Sequence, residues 1–264
     1  MLKTIHYTEY KRMKTIIKQY YEHIVRYPQT MITRFYGLHK IKYKPEGSLN
    51  FQRYYFVIMG NVFNTTMNIK VRYDLKGSKL GRATRKSPDE QLDPEIALKD
   101  LDFDADKRKI DLEDNIKQAL LRQMRFDLEF FKQCEVIDYS MLVGVCDLPN
   151  AEEGQRLLDE YNQKTDASIE EKTAQILHKD YGNLLHDNCD RFDTQFYDSI
   201  EGGIVSRDRK KVYFLGIIDI LTHYSGHKVF EYFSKSLIYG KSMSVAPPDK
   251  YGDRFDEYMR TIFE

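Results

Sequence analysis

Two apolar runs that each enclose an aspartate, Asp138 in one and Asp219 in the other, constrain this fold more than any other feature of the sequence. The first, Val136–Asp147, begins Val-Ile-Asp-Tyr-Ser-Met-Leu-Val-Gly-Val. The second, Lys211–Leu221, contains Phe-Leu-Gly-Ile-Ile-Asp-Ile-Leu. Both read as buried strands, and an ionised carboxylate in such a setting is costly unless it meets a cation, a metal or several donors. Asp138 and Asp219 therefore each demand a partner. Taken singly, either reads equally well as a structural carboxylate capping a turn; two in matching settings favour a chemical use.

The remaining elements follow from periodicity. Met13, Ile16, Ile17, Tyr20, Tyr21 and Ile24 recur at helical spacing behind a short strand end, with Thr8, Glu9 and Lys11 framing the helix start. Met31–Tyr43, Arg53–Met59 and Thr66–Asp74 read as strands, with a turn at Glu46-Gly47-Ser48, and predict one small antiparallel sheet under that helix. Ser78–Asp106 is polar and irregular and reads as a surface loop. Asp114–Lys132 is an amphipathic helix with a stripe of Ile116, Leu120, Leu121, Met124, Leu128 and Phe131. Asn150–Ser199 is mostly polar, with helical spacing at Ala174, Ile176, Leu177, Tyr181, Leu184 and Leu185, and Arg254–Phe263 predicts a last helix. The order is α+β, strand-rich first and helix-rich later, compatible with two lobes and a cleft.

Length and composition narrow the classes. At 264 residues the chain is long enough to bury a core without staples. No apolar run approaches the roughly 20 residues that cross a bilayer, and the first residues lack a secretory pattern. Cys134, Cys146 and Cys189 lack CxxC spacing and read as reduced thiols. Lys and Arg balance Asp and Glu at a formal net charge of +0, so attraction to a polyanion must come from a local patch. Nucleic acid is not an expected partner, and any membrane contact is peripheral.

Four charged residues fit phosphoryl transfer. Lys3 sits at a strand end before a helix with Glu9 in its first turn, the arrangement in which a helix acid orients a phosphate-binding lysine; an exposed N-terminal lysine is the plainer reading. Asp74-Leu-Lys-Gly-Ser78 places a cation, a flexible glycine and a hydroxyl after a strand, where backbone N–H groups and Lys76 could meet phosphate oxygens; an ordinary turn has the same composition. One aspartate to orient the acceptor hydroxyl and one to bind Mg2+ completes the set. Other apparent motifs fail. Gly240-Lys241-Ser242 lacks the first glycine of a Walker loop, where Lys235 stands, and the seven histidines have no metal-ligand spacing.

Ordered along the chain, these strings resemble the phosphatidylinositol phosphate kinase family, in particular its phosphatidylinositol 4-phosphate 5-kinase-like members. They are Leu-Lys-Thr-Ile (2–5), Phe-Tyr-Gly-Leu (35–38), Tyr-Asp-Leu-Lys-Gly-Ser (73–78), Lys-Asp-Leu-Asp-Phe (99–103), Ile-Asp-Tyr-Ser-Met-Leu (137–142), Gly-Gly-Ile (202–204), Gly-Ile-Ile-Asp-Ile-Leu (216–221) and Ser-Val-Ala-Pro (244–247). The resemblance implies a two-lobed α+β fold distantly related to protein kinases, ATP and Mg2+ as cofactors, and a phosphoinositide on a membrane surface as acceptor. It implies one catalytic domain over 1–264, with a partial N-lobe over 1–60 and a C-lobe over 61–264 that carries an activation loop at about 220–247. Lys3 matches the ATP-binding lysine, Lys76 the lysine beside the transferred phosphate, Asp138 the catalytic aspartate and Asp219 the metal-binding aspartate. Glu9 is taken as the helix acid, and Val57, Met59 and Asn61 fall where the hinge receives adenine.

In the loop after Asp219, Phe230, Phe233, Leu237 and Ile238 share a helical face flanked by Lys228, Lys235 and Lys241, a pattern suited to anionic lipid. A helix packed on the core is the plainer reading. Lys228 takes the first place of the family's lysine pair, Val229 replaces the second, and Glu231 matches members that act on the 4-phosphate. The implied location is cytoplasmic, at the cytoplasmic face of membranes, with a homodimer left open. The family's Gly-rich loop lies before the ATP-binding lysine, and this sequence begins two residues ahead of Lys3. The alternative expectation is therefore a phosphoinositide-binding scaffold of weak or no activity.

Overall fold

The computed structural model describes residues 1–47, 50–87, 90–159, 203–225 and 246–264. A strand β1 (Leu2–Ile5) leads into helix α1 (Tyr7–Arg26), and strands β2 (Phe35–Tyr43) and β3 (Gln52–Met59) follow. These three strands form an antiparallel sheet in the order β1-β3-β2. Helix α1 starts at His6, whose backbone N–H donates to Glu9 Oε2 at 2.7 Å, so the cap lies two residues before the expected Thr8. Met13, Ile16 and Tyr20 are buried as the spacing predicts, whereas Ile17 and Tyr21 face solvent and His23 takes a buried place instead.

The third predicted strand does not join this sheet. Strand β4 (Val71–Leu75) pairs with β7 (Ser140–Asp147) in a second sheet ordered β5-β4-β7-β9-β8, where β5 is Ala97–Leu98, β8 is Ile204–Val205 and β9 is Lys211–Ile218. The physical reason is burial: Tyr73 and Leu75 are sealed from solvent against a central apolar strand, an environment the small sheet does not offer. Likewise Met31–Thr33 is not a strand of the first sheet. It runs beside β9, with Ile217 N–H donating to Met31 O and Thr33 N–H donating to Ile217 O.

The supposed loop from Ser78 to Asp106 is only partly irregular. It contains β5 and a short helix α2 (Asp100–Ala105), and it buries Ser78, Asp100, Asp102 and Phe103. Helix α3 (Asp114–Gln133) matches expectation closely and packs against a C-terminal helix α4 (Pro248–Ile262), which begins six residues earlier than predicted. Residues 151–159 are helical. The helical spacing read at 174–185, Cys189 and the loop at 226–245 lie outside the described residues. Cys134 and Cys146 are buried.

One buried acid stitches the two halves. Asp127 of α3 accepts hydrogen bonds from Thr30 Oγ1 (2.6 Å), Met31 N–H (2.9 Å) and Gln123 Nε2 (2.9 Å), with His23 Nε2 2.8 Å away. It thereby ties the end of α1 and the following linker to α3, one edge of the frame that aims β1 at the end of β9. The fold is α+β.

Candidate active site

The apolar runs break where their aspartates stand. Strand β6 (Val136–Ile137) pairs with β10 (Thr222–His223), and the β7–β9 ladder starts only at Ser140 opposite Ile218. Asp138 and Asp219 thus lie in the gap between two ladders on neighbouring strands. Both have positive φ, 68° and 64°, a conformation that Asp tolerates better than most residues but that still carries strain. Such strain persists where the surroundings over-determine it, and here they do. Tyr139, between Asp138 and Ser140, is buried against Phe131, Tyr251 and Phe255, and its carbonyl accepts the Tyr251 hydroxyl at 2.5 Å. Burial, reinforced by the nearby Tyr139 and Asp138, holds that Tyr251 phenol far above its ordinary pKa, so it stays a donor.

Each aspartate meets a lysine from a different strand end. Lys76, just beyond β4, places Nζ 2.7 Å from Asp138 Oδ1, and the lysine stem is largely buried. Lys3 of β1 pairs with Asp219 Oδ1, and both of these side chains are about two-fifths exposed. Because β4, β7 and β9 are adjacent, with Leu75 opposite Met141 and Ser140 opposite Ile218, Lys76, Asp138 and Asp219 gather at the same end of these three strands.

The loop bearing Lys76 is held by a carboxylate that sequence reasoning left unused. Asp100 is fully buried, and its Oδ1 accepts the N–H groups of Lys76 (2.9 Å), Gly77 (2.7 Å) and Ser78 (3.3 Å). Its Oδ2 accepts Arg82 Nε at 2.7 Å, and Arg82 also reaches Asp74 Oδ1 at 2.7 Å. Burial pulls the Arg82 pKa down, but the hydrogen bonds of Asp100 and Asp74 outweigh it and raise it. Gly77 is required for two reasons. Its φ is +66°, and a Cβ there would stand 3.0 Å from Tyr258 Cβ and 3.1 Å from Arg254 O. The signal for Asp100 was present in the string Lys-Asp-Leu-Asp-Phe, where two acids run into buried Phe103 in an otherwise polar stretch. Asp127 was marked by its place on the apolar stripe of α3.

The other candidates divide. Val57 and Met59 are buried on β3, and Lys3 stands directly across from Val57 in the antiparallel register, so those two side chains share a face. Asn61 is exposed just past the strand and accepts the Phe63 N–H through Oδ1 at 3.1 Å. Glu9 is not beside Lys3 in the expected pairing. Its carboxylate closes the cap of α1, while Lys3 pairs with Asp219. Lys228, Phe230, Glu231, Phe233, Lys235 and Leu237 lie outside the described residues. Among the described residues no group of three or more His, Cys, Asp or Glu could hold a metal by itself.

Comparison with known proteins places the chain by its sequence. The family model described as phosphatidylinositol-4-phosphate 5-kinase matches residues 1–262. A phosphatidylinositol 4-phosphate 5-kinase of Plasmodium falciparum is 35% identical over 262 residues, covering 97% of this chain and 14% of the relative. A probable phosphatidylinositol phosphate kinase of Dictyostelium discoideum is 34% identical, covering 100% of this chain and 39% of the relative. The phosphatidylinositol 5-phosphate 4-kinase type-2 alpha of Gallus gallus is 30% identical, covering 99% and 65%. The chain therefore spans between a seventh and two-thirds of the length of these relatives.

Proposed function

The chain belongs to the phosphatidylinositol-4-phosphate 5-kinase family, and from that premise we propose that it transfers a phosphate from ATP to a phosphatidylinositol monophosphate headgroup. The observation that carries the proposal is the pair of lysine–aspartate contacts, Lys76–Asp138 and Lys3–Asp219, at the break between two ladders. Phosphoryl transfer needs little covalent chemistry from a protein and depends on positioning and charge. In this reading Asp138 accepts the proton of the attacking hydroxyl, and Lys76 turns from Asp138 to the transferred phosphate. Lysine suits that exchange, being a compact charge with three donors on a flexible stem.

Lys3 meets the two phosphates that leave as part of ADP, and Val57 and Met59 form the apolar wall against adenine, with Asn61 at its rim. Asp219 fits Mg2+ in the manner usual for that ion, through one or two carboxylates plus substrate phosphates rather than an all-protein cage. The bound ion would neutralise charge on the phosphates. The chain is then read as a single catalytic domain with an N-lobe around the first sheet, working at the cytoplasmic face of membranes.

Relatives of both positional specificities match, and Glu231 favours phosphatidylinositol 4-phosphate as acceptor and the 4,5-bisphosphate as product. The test is incubation with radiolabelled ATP, Mg2+ and vesicles containing either the 4-phosphate or the 5-phosphate lipid, followed by deacylation and chromatography. Label from the 4-phosphate vesicles alone supports the 5-kinase reading. Label from the 5-phosphate vesicles reverses the specificity, and no label from either defeats the kinase proposal.

A further inference from the structure

Charge is not spread evenly along this neutral chain. Residues 1–60 hold eleven Lys and Arg and only Glu9, Glu22 and Glu46 as acids, although the whole chain balances 41 against 41. Much of that excess converges on one open cleft between α1 and the β2–β3 hairpin. The cleft has a volume of about 660 Å³ and is lined by Lys11, Lys14, Lys40 and Arg53 with the rings of Tyr7, Tyr10, Phe51 and Tyr55, and by no acid.

The placement follows from two periodicities. Tyr7, Lys11 and Lys14 recur at i, i+4 and i+7 on α1, which puts them on one face. Across the hairpin Lys40 stands opposite Tyr55 and Lys42 opposite Arg53, so alternation turns this set to the same side of the sheet. The rings hold the walls together: Tyr55 packs on Tyr7 and Tyr10 at 5.2 and 4.7 Å between centroids, Lys11 lies over Tyr7, and Lys42 Nζ lies 4.0 Å over Phe51.

Two features of this arrangement work against the fold by itself. Like charges directly opposite on paired strands, as Lys42 and Arg53 are, are destabilising. None of Lys11, Lys14, Lys40, Lys42 and Arg53 has an ion-pair partner among the described residues, while nearby Glu22 pairs with Lys18 and Glu9 serves the helix cap. A cluster of unpaired cations on a rigid, aromatic-walled floor is what a multiply charged anion would neutralise.

We propose that this cleft is a second ligand site, separate from the lysine–aspartate site, that takes a compact, multiply phosphorylated group. Its volume suits one headgroup or a small polyphosphate rather than a continuous nucleic-acid strand. The phosphate cluster could come from a free inositol polyphosphate or from a phospholipid headgroup, and the two are distinguished by experiment. The proposal does not depend on kinase activity.

The test is titration calorimetry of the full chain with inositol hexakisphosphate, beside flotation with phosphatidylcholine vesicles containing phosphatidylinositol 3,4,5-trisphosphate. The expected result is binding that falls at least ten-fold in the Lys14→Ala, Arg53→Ala double variant and is unchanged in Lys3→Met. Loss of calorimetric binding alone assigns a free ligand, and loss of vesicle binding as well assigns a lipid headgroup. Binding unaffected by the double variant, or lost in Lys3→Met, places the anion elsewhere and overturns the proposal. So does tighter binding of single-stranded RNA that the same double variant abolishes. A further readout excludes misfolding: Lys42→Glu should raise the thermal midpoint by relieving the cross-strand repulsion while weakening the anion. A lowered midpoint would mean that the cations are already compensated, which also defeats the proposal.

Discussion

Lys76 Nζ lies 2.7 Å from Asp138 Oδ1, joining the end of β4 to a positive-φ break just before β7. Neither residue is close to the other in sequence, and each arrives through a separate structural device: Asp100 for the lysine, the Tyr139 aromatic cluster for the aspartate.

Asp138→Asn should lower the turnover of lipid phosphorylation by about 10²–10⁴-fold, the usual contribution of a positioned general base. Lys76→Met should fall in the same range and add little to the loss in the double variant, since the two act as a unit. Steady-state kinetics together with thermal melts check this. Activity within two-fold of wild type in a folded Asp138→Asn protein would remove it from the mechanism.

Lys3→Met and Asp219→Asn should hardly change stability, because a pair this exposed contributes at most about 1 kcal/mol. Their effect belongs to the nucleotide. Losing a charged hydrogen bond, about 1.5–3 kcal/mol, should weaken ATP roughly ten- to a hundred-fold. Fluorescent-nucleotide titration with and without Mg2+ checks it, and the Mg2+ dependence should disappear selectively in Asp219→Asn.

Asp100→Ala should cost about 3–5 kcal/mol, the range for removing one member of a buried charged pair. Three backbone N–H groups and Arg82 would lose their acceptor at once. Urea unfolding measures the cost. Gly77→Ala should destabilise the same loop through its φ and its contact with α4, and the two effects should be less than additive.

Asp106 gives a pH signature. Burial alone would raise its pKa, but hydrogen bonds from Arg85 at 2.6 Å and Tyr73 at 2.5 Å outweigh burial and lower it below the ordinary 3.8. A depressed carboxyl stabilises the fold above that ordinary value, and the contribution disappears as pH falls through the folded value. The stability gap between wild type and Asp106→Asn should therefore be full at pH 6 and shrink below about pH 4. Urea midpoints across that range test it; a gap that widens in acid would contradict the assignment.

Much of this was legible in the residues themselves. The stripe of α3, the strand character of β3, β7 and β9, and the need of Asp138 and Asp219 for partners all follow from local patterns, because periodicity reports which face is buried. The partners do not. The alternation of Val71–Leu75 marks a strand but not its sheet, and only packing against β7 decided that β4 left the first sheet. Glu9 looked available to Lys3 by spacing, yet the N–H of the capping His6 claimed it. Asp100 looked like one more charge in a polar stretch until the loop folded over it. The sequence by itself determined the main strands and helices and the need of Asp138 and Asp219 for compensation. The tertiary structure decided which cations compensate them, because a buried charge is satisfied by whatever the packed chain brings within hydrogen-bond reach, and that depends on contacts tens to hundreds of residues apart.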